Sequence, residues 1–381
     1  MTLETLQIGM EWFEENPGGL TRVYGRLLSE LARQDVRSFG LVAGSGDVTR
    51  LSNGLAHSFA PAHSPLLTRM RAVRSAAAPW LDRHGPESVV VSHFALYALS
   101  LLDRVRNRPF VVHFQGPWGV ESRAEGASVI SAAARTMLER LVYRRADAAI
   151  VLSTAFRDIL TSRFGVDAER VHVIPGGVEA DRFAHDTPRV ECRVALGWPL
   201  DRPIVLCVRR LVRRVGIDTL VEAAVDVKRR VPTALILIAG TGPLREELKA
   251  RIRTIALNDT VRLLGFVRDE DLPLAYRAAD LTVVPTASLE GFGLITVESL
   301  ASGTPCLVTP VGGLSEVVTP LAPQLVMRSM AAPDIADAIS SALLGELPLP
   351  SSEACAAYAR AHFDWPVIAR RVRDVYAGTT R

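Results

Sequence analysis

Ile204-Val-Leu-Cys-Val-Arg-Arg-Leu211 runs five apolar residues into two arginines. Apolar residues without polar alternation suit a strand covered on both faces, as in a parallel sheet. The abrupt change to charge marks the strand's carboxyl end. The pattern recurs downstream at Ala234–Ala239, Val261–Leu264, Leu281–Val284 and Pro305–Val308, with helical stretches between. Upstream it recurs at Leu6–Met10, Ser38–Val42, Ser88–Val91, Phe110–Phe114 and Ala148–Leu152, with helices expected over Leu20–Arg33 and Ala132–Arg144. Strands alternating with helices predict βαβ units, hence an α/β fold with parallel sheets.

A chain of 381 residues exceeds one typical core and suits two domains. The pattern weakens over residues 179–203, where Pro188, Pro199 and Pro203 interrupt it, so the interdomain link is expected there. The expected domains are 1–185 and 190–358. A closing helix over 362–381 is expected to return towards the first domain. Asp364 is its cap candidate and Pro366 lies in its first turn, while Ile368, Val372, Val375 and Tyr376 share one face. Ligands are expected in a cleft between the strand ends of the two domains.

Composition narrows the function. With 48% apolar and 22% charged residues the chain reads as an ordinary globular protein. No apolar run approaches the ~20 residues needed to span a bilayer. Met1–Met10 lacks the charged and apolar regions of an export signal, so a cytoplasmic location is expected. A net charge of +3 argues against a nucleic-acid partner. The scattered Cys192, Cys207, Cys306 and Cys355 argue against a zinc site or a disulfide framework.

Among motifs, Glu290-Gly-Phe-Gly293 followed by Leu294 and then Glu298 stands out. Gly291 and Gly293 clear side chains from a helix start, where backbone N–H groups can face an anion. Glu298, set among Ile295, Val297 and Leu300, needs donors, and a ribose diol offers two. Arg209 and Arg210, with Arg213 and Arg214 behind them, sit where guanidinium groups can hold phosphate oxygens. A fixed arginine there lowers the barrier to departure of a nucleoside diphosphate.

In Asn16-Pro-Gly-Gly19, Gly18 and Gly19 permit close approach of an anion to the next helix, or else form an ordinary tight turn. His113 ends a strand and is aimed at the cleft, where it contacts a transferred sugar or positions an acceptor; His93 occupies a similar strand end. Gly240-Thr-Gly-Pro243, with Gly242, and Gly265-Phe-Val267, with Phe266 and Val267, follow neighbouring strands. They line a nucleotide pocket or make simple turns. Leu67, Met70, Val73, Ala77 and Trp80 beside Arg69, Arg71, Arg74 and Arg83 read either as a membrane-interfacial face or as a core-facing helix, with Pro79 breaking the run.

Taken in order, Pro17-Gly-Gly-Leu20, His113, Ile174-Pro-Gly-Gly-Val178, Arg209-Arg-Leu211, Gly240-Thr-Gly-Pro-Leu244, Leu264-Gly-Phe-Val267, Glu290-Gly-Phe-Gly293, Glu298 and Gly312-Gly313 make the chain resemble glycosyltransferase family 4 over nearly its whole length. The resemblance implies the GT-B fold: two Rossmann-like domains, the first for the acceptor and the second for the donor. It implies a retaining, metal-independent enzyme with no cofactor, which uses a nucleotide-sugar as co-substrate. The acceptor would be a carbohydrate, a lipid-linked molecule or a small molecule, with peripheral contact at the inner membrane face in some members. The family pattern places Glu290 by the reacting sugar, Glu298 on the ribose, Arg210 on the diphosphate, Gly18 and Gly19 near the phosphates and His113 on the sugar. Glu290, Arg210 and His113 are thus the catalytic candidates. Arg209, Arg214, Gly242, Phe266, Val267, Gly291, Phe292, Gly293 and Leu294 join Gly18, Gly19 and Glu298 as donor contacts.

The chain departs from the pattern at Val215, where lysine is usual, at Arg209, where glycine is usual, and at Gly176, where asparagine is common. Arg214 is the neighbour available to stand in for the lysine. Two other readings stay open: a sugar-nucleotide epimerase or hydrolase on the same fold, and a non-catalytic nucleotide-sugar-binding protein. An oxidoreductase is disfavoured because Asn16–Gly19 lacks a third glycine.

Overall fold

The computed structural model describes residues 3–124, 126, 128–184 and 187–380. The chain divides into two compact units, one of residues 1–177 and 365–381, the other Val178–Asp364.

The first unit is built on seven strands: β1 (Leu3–Glu11), β2 (Val36–Ala43), β3 (Ala56–Ala60), β4 (Val89–Ser92), β5 (Phe110–Phe114), β6 (Ala148–Val151) and β7 (Val171–Val173). They lie in the order β3-β2-β1-β4-β5-β6-β7, with every pairing parallel. Leu6 of β1 stands between Phe39 and Val90 in register. The expected strands are all present, and β3 and β7 are added at the two edges. β4, β5 and β6 are buried along their whole length. Each fully buried valine, leucine or isoleucine contributes about 1.5–3 kcal/mol.

Helix Gly19–Ala32 covers one face through Val23, Tyr24, Leu27, Leu28 and Leu31, a spacing that keeps one stripe on the sheet. The closing helix, Trp365–Thr379, buries Ile368, Val372 and Tyr376 in this same unit. Asp364 ends the preceding helix Ser352–Phe363 and accepts a hydrogen bond from the Ala180 amide at 3.1 Å.

Helix Leu66–Arg83 decides between the two readings of its apolar face. Val73, Ala77, Trp80 and Leu81 are buried, and Arg74 pairs with Asp103 at 2.6 Å. The face belongs to the core because its spacing matches the sheet it covers. Only the start, with Leu67 68% exposed, remains outside. Among the described residues, no helix is long and apolar enough to cross a membrane.

The second unit holds β8 (Ile204–Val208), β9 (Leu235–Ala239), β10 (Val261–Gly265), β11 (Leu281–Val284) and β12 (Cys306–Val308). Their order is β10-β9-β8-β11-β12, again wholly parallel. β8 is therefore central, and the loops leaving β8, β9, β11 and β12 share one end of the sheet. The 179–203 segment is not a bare linker. It carries helices Ala180–Phe183 and Arg189–Leu196, and buried Arg193 pairs with Asp280 at 2.6 Å. Its prolines delimit short helices within the second unit.

Candidate functional site

In the second unit, the loops after the strands lock together through their backbones. Leu211 N–H donates to Thr241 O and Leu244 N–H to Leu211 O, tying the β8 loop to the β9 loop. Ala287 N–H donates to Arg214 O, and Gly313 N–H donates to Glu290 O. Two glycines are dictated by this contact. A Cβ on Gly240, at φ +136°, would lie 1.9 Å from Arg209 O, and one on Gly312, at φ +57°, would lie 1.9 Å from Glu290 O. Gly242 is similar, since a Cβ there would lie 2.4 Å from Leu211 O. Its missing side chain is thus accounted for by the protein's own packing.

This framework brings Arg209 and Glu290 together. Arg209 Nη2 sits 2.5 Å from Glu290 Oε2 and donates to Thr286 Oγ1 at 2.9 Å; Thr286 in turn lies 3.2 Å from Glu290 Oε2. Both members of the ion pair are largely buried, with side-chain exposures of 11% and 14%. Arg210, next in the chain, turns outward and is exposed, with no ion pair among the described residues. Arg214 donates to Leu289 O at 3.1 Å, holding the loop that carries Glu290. Val215, the usual lysine position, is buried.

Gly293 caps helix Leu294–Ala301 in a left-handed conformation, and no side chain caps the helix start. The Thr296 N–H turns back to Gly293 O at 2.9 Å, which leaves the Leu294 and Ile295 N–H groups to face an anion. Gly291 and Phe292 are buried and Leu294 half-buried; Phe292 packs on Phe363. One helical turn further on, Glu298 is 7% exposed and accepts a hydrogen bond from the Tyr276 hydroxyl at 2.9 Å. Burial holds that phenol far above its ordinary pKa, so it stays a donor. Phe266 stands 73% exposed after β10, beside half-buried Val267.

The first unit carries a cavity of about 280 Å³ at the carboxyl ends of β1, β4 and β5. His93 and His113 form part of its wall, stacked at 4.2 Å between ring centroids. His113 Nε2 lies 2.7 Å from the Tyr376 hydroxyl, so the closing helix fixes this ring. Burial lowers the His113 pKa to about 3. His93 is pushed well below its ordinary value by burial and then by neighbouring His113. Both rings are therefore neutral near pH 7. Gly18 precedes helix Gly19–Ala32 in extended backbone, where a Cβ would meet only Thr21 Oγ1, at 3.7 Å.

Tyr276 and Tyr376 were not legible as site residues, because each lies on an apolar helical face. Glu11 and Trp118, two more residues of the cavity wall, belong to no motif.

Comparison with known proteins agrees with this layout. Residues 189–362 match the family described as glycosyl transferases group 1, and residues 17–182 match glycosyltransferase family 4. A mannosylfructose-phosphate synthase of Agrobacterium fabrum is 34% identical over 49% of this chain and 42% of its own length. A GDP-mannose-dependent alpha-(1-6)-phosphatidylinositol monomannoside mannosyltransferase of Mycobacterium tuberculosis is 31% identical over 64% of this chain and 65% of its own. The matched stretch thus spans about two fifths to two thirds of these relatives. Sucrose-phosphate synthase from Thermosynechococcus elongatus superimposes with a TM-score of 0.80 at 25% identity, covering 98% of each chain. Anabaena HepE, solved with UDP and glucose, superimposes with a TM-score of 0.78 at 18% identity over 98% of each chain. With two parallel-sheet units, the interlocked loops of the second and these matches, the chain belongs to glycosyltransferase family 4 and has the GT-B fold.

Proposed function

We propose that the protein is a retaining, metal-independent glycosyltransferase that moves a sugar from a nucleoside diphosphate donor to a hydroxyl acceptor. One observation carries the reading: the strand-end loops of the second unit hold an exposed arginine, a paired glutamate and an uncapped helix start at the carboxyl end of one sheet. In this reading Arg210 and the N–H groups of helix Leu294–Ala301 bind the diphosphate. Glu298, oriented by Tyr276, accepts from the ribose hydroxyls, and exposed Phe266 stacks on the base.

The bond between the sugar's anomeric carbon and the phosphate oxygen breaks, with its electron pair leaving on the diphosphate. Arg210 meets that charge as it grows. The acceptor oxygen bonds to the anomeric carbon from the same face, and its proton passes to the departing phosphate oxygen. Glu290, held by Arg209 and Thr286, lies by the reacting sugar. His113, neutral and tied to Tyr376, positions rather than exchanges protons. Gly18 leaves room for an anion that the protein's own packing does not claim.

The work is placed in the cytoplasm, with peripheral contact at the inner membrane face through helix Val129–Arg145. There Ile130, Met137 and Leu141 are 83%, 57% and 47% exposed, among exposed Arg140 and Arg144.

Thermal-shift titration with UDP-, GDP- and ADP-sugars tests the donor reading, since a ligand of the folded state raises its melting temperature. One donor should stabilise the protein and Glu298→Ala should weaken that donor. NMR of the product should show the donor's anomeric configuration, with unchanged rate in chelator. No stabilisation by any sugar nucleotide would refute the reading, and an inverted product would refute retention. Donor consumed fastest without acceptor would make the protein a hydrolase or epimerase instead.

A further inference from the structure

Several acceptor groups belong to residues that line the first-unit cavity. Glu11 and Glu121 bring carboxylates to its wall. Glu11 Oε2 takes a hydrogen bond from Asn16 Nδ2, and Glu121 lies against Gly116, where a Cβ would be 2.9 Å from Glu121 Oε1. His93 is a third acceptor. Its Nε2 faces Gln7 Oε1 at 2.9 Å, while Gln7 Nε2 donates to Thr5 Oγ1 at 3.1 Å. With Gln7 oriented in this way His93 Nε2 is the donor to Gln7 Oε1, which leaves Nδ1 as a lone pair. That Nδ1 is buried and has no hydrogen-bond partner among the described residues, and neither has the buried Gln115 Oε1. A buried acceptor without a donor is costly, and both of these side chains belong to residues that line the cavity.

Charge points the same way. Among the described residues that line the cavity there is no lysine or arginine. Two arginines outside the lining have partners of their own: Arg69 donates to the Tyr97 hydroxyl at 2.8 Å, and Arg135 lies 4.6 Å from the centroid of the Trp118 ring. Phe94 and Trp118, edge to face at 5.7 Å, supply an apolar wall. About 280 Å³ lies near the lower end of the ~300–1,000 Å³ usual for small-molecule sites, room for one ring rather than a chain.

We propose that this cavity binds a cyclic polyol, neutral or carrying an amine, and rejects a phosphorylated one. The hydroxyl or ammonium hydrogens satisfy His93 Nδ1, Gln115 Oε1 and Glu11, and the ring's C–H face lies on Phe94 and Trp118. The acceptor of the transfer is then of this class, a step that rests on the glycosyltransferase reading above. It sets the chain apart from relatives whose names contain phosphorylated products.

Calorimetric titration of the full chain with glucose, glucosamine and glucose 6-phosphate tests the assignment. Glucosamine should bind at least as tightly as glucose, and glucose 6-phosphate about tenfold or more weakly, because it sets like charges together. Glu11→Gln should erase any advantage of glucosamine while leaving the melting temperature unchanged. If Glu11→Gln unfolds, the ligand order in the wild-type protein decides alone. Phosphate binding equal to or tighter than glucose, no binding by glucose or glucosamine, or a folded Glu11→Gln variant that keeps an amine advantage would overturn the proposal. UDP titrated into the same samples separates the two readings. Lost UDP binding with the polyol order intact sinks only the donor assignment, and intact UDP binding with the order reversed sinks only this one.

Discussion

The two units place their sites at the same position, the carboxyl ends of parallel strands, yet the chemistry there is opposite. In the second unit the loops are clamped backbone to backbone, and charge is used in pairs: Arg209 on Glu290, with Arg210 left exposed. In the first unit the wall is made of neutral histidines, aromatic rings and acceptor atoms drawn from β1, β4, β5 and the segments that follow them. In the reading proposed above, one topology thus serves phosphate in the second unit and hydroxyls in the first. The strand ends supply the location, and the residues at them supply the chemistry.

The strongest way to break this contrast is to remove one half of the buried pair. Arg209→Ala leaves Glu290 without its cation and should destabilise the second unit by about 3–5 kcal/mol. The double variant Arg209→Ala, Glu290→Ala should recover part of that loss. Urea unfolding measures both. An unchanged midpoint for Arg209→Ala would mean the pair is solvated in practice.

Arg210→Ala should do the reverse. Its side chain is exposed, so stability should stay within about 0.5 kcal/mol. Turnover should fall by on the order of 2–4 kcal/mol of barrier, the scale of one lost oxyanion donor. Steady-state kinetics decide it, and near-wild-type turnover would remove Arg210 from the reaction.

The first unit should betray itself in acid. His113 titrates near 3 when folded and near 6.5 when unfolded, so the unfolded chain binds more protons between those values. The stability this ring contributes is whole above pH ~6.5 and falls as the pH drops towards 3. By pH 5 the loss should reach about 2 kcal/mol. His113→Phe should lessen that slope and leave the share that buried His93 contributes, as read by denaturation at pH 7 and pH 5. A slope equal to the wild type's would show that the imidazole is hydrated in solution.

Much of this arrangement could be read from the chain itself. Ten of the twelve strands announce themselves by mainly apolar runs, Cys306–Val308 together with its neighbour Pro305. The misses were at the sheet edges. Ala56–Ala60 is half-buried and carries His57 and Ser58, and Val171–Val173 is three residues long, so neither shows a continuous apolar run. The motifs located the second-unit loops because glycine and charge follow directly on strands there. They did not divide the labour between Arg209 and Arg210, since neighbouring residues leaving a strand point different ways. The cavity was the least visible feature. His93 and His113 could be placed at strand ends, but Glu11, Gln115 and Trp118 meet only through tertiary packing.

Phe266 offers the smallest effect and the finest distinction. A phenylalanine 73% exposed gains little from the fold, so Phe266→Ala should leave the melting temperature unchanged. If its ring stacks on the donor's base, as proposed, affinity should drop by about 1 kcal/mol, at the low end for base stacking on an aromatic side chain. The loss should be equal for UDP and for UDP-glucose, because the sugar lies at the far end of the diphosphate. A larger loss for the sugar nucleotide than for the nucleotide would move Phe266 from the base to the transferred sugar. No loss for either would leave it an exposed ring with no part in donor binding.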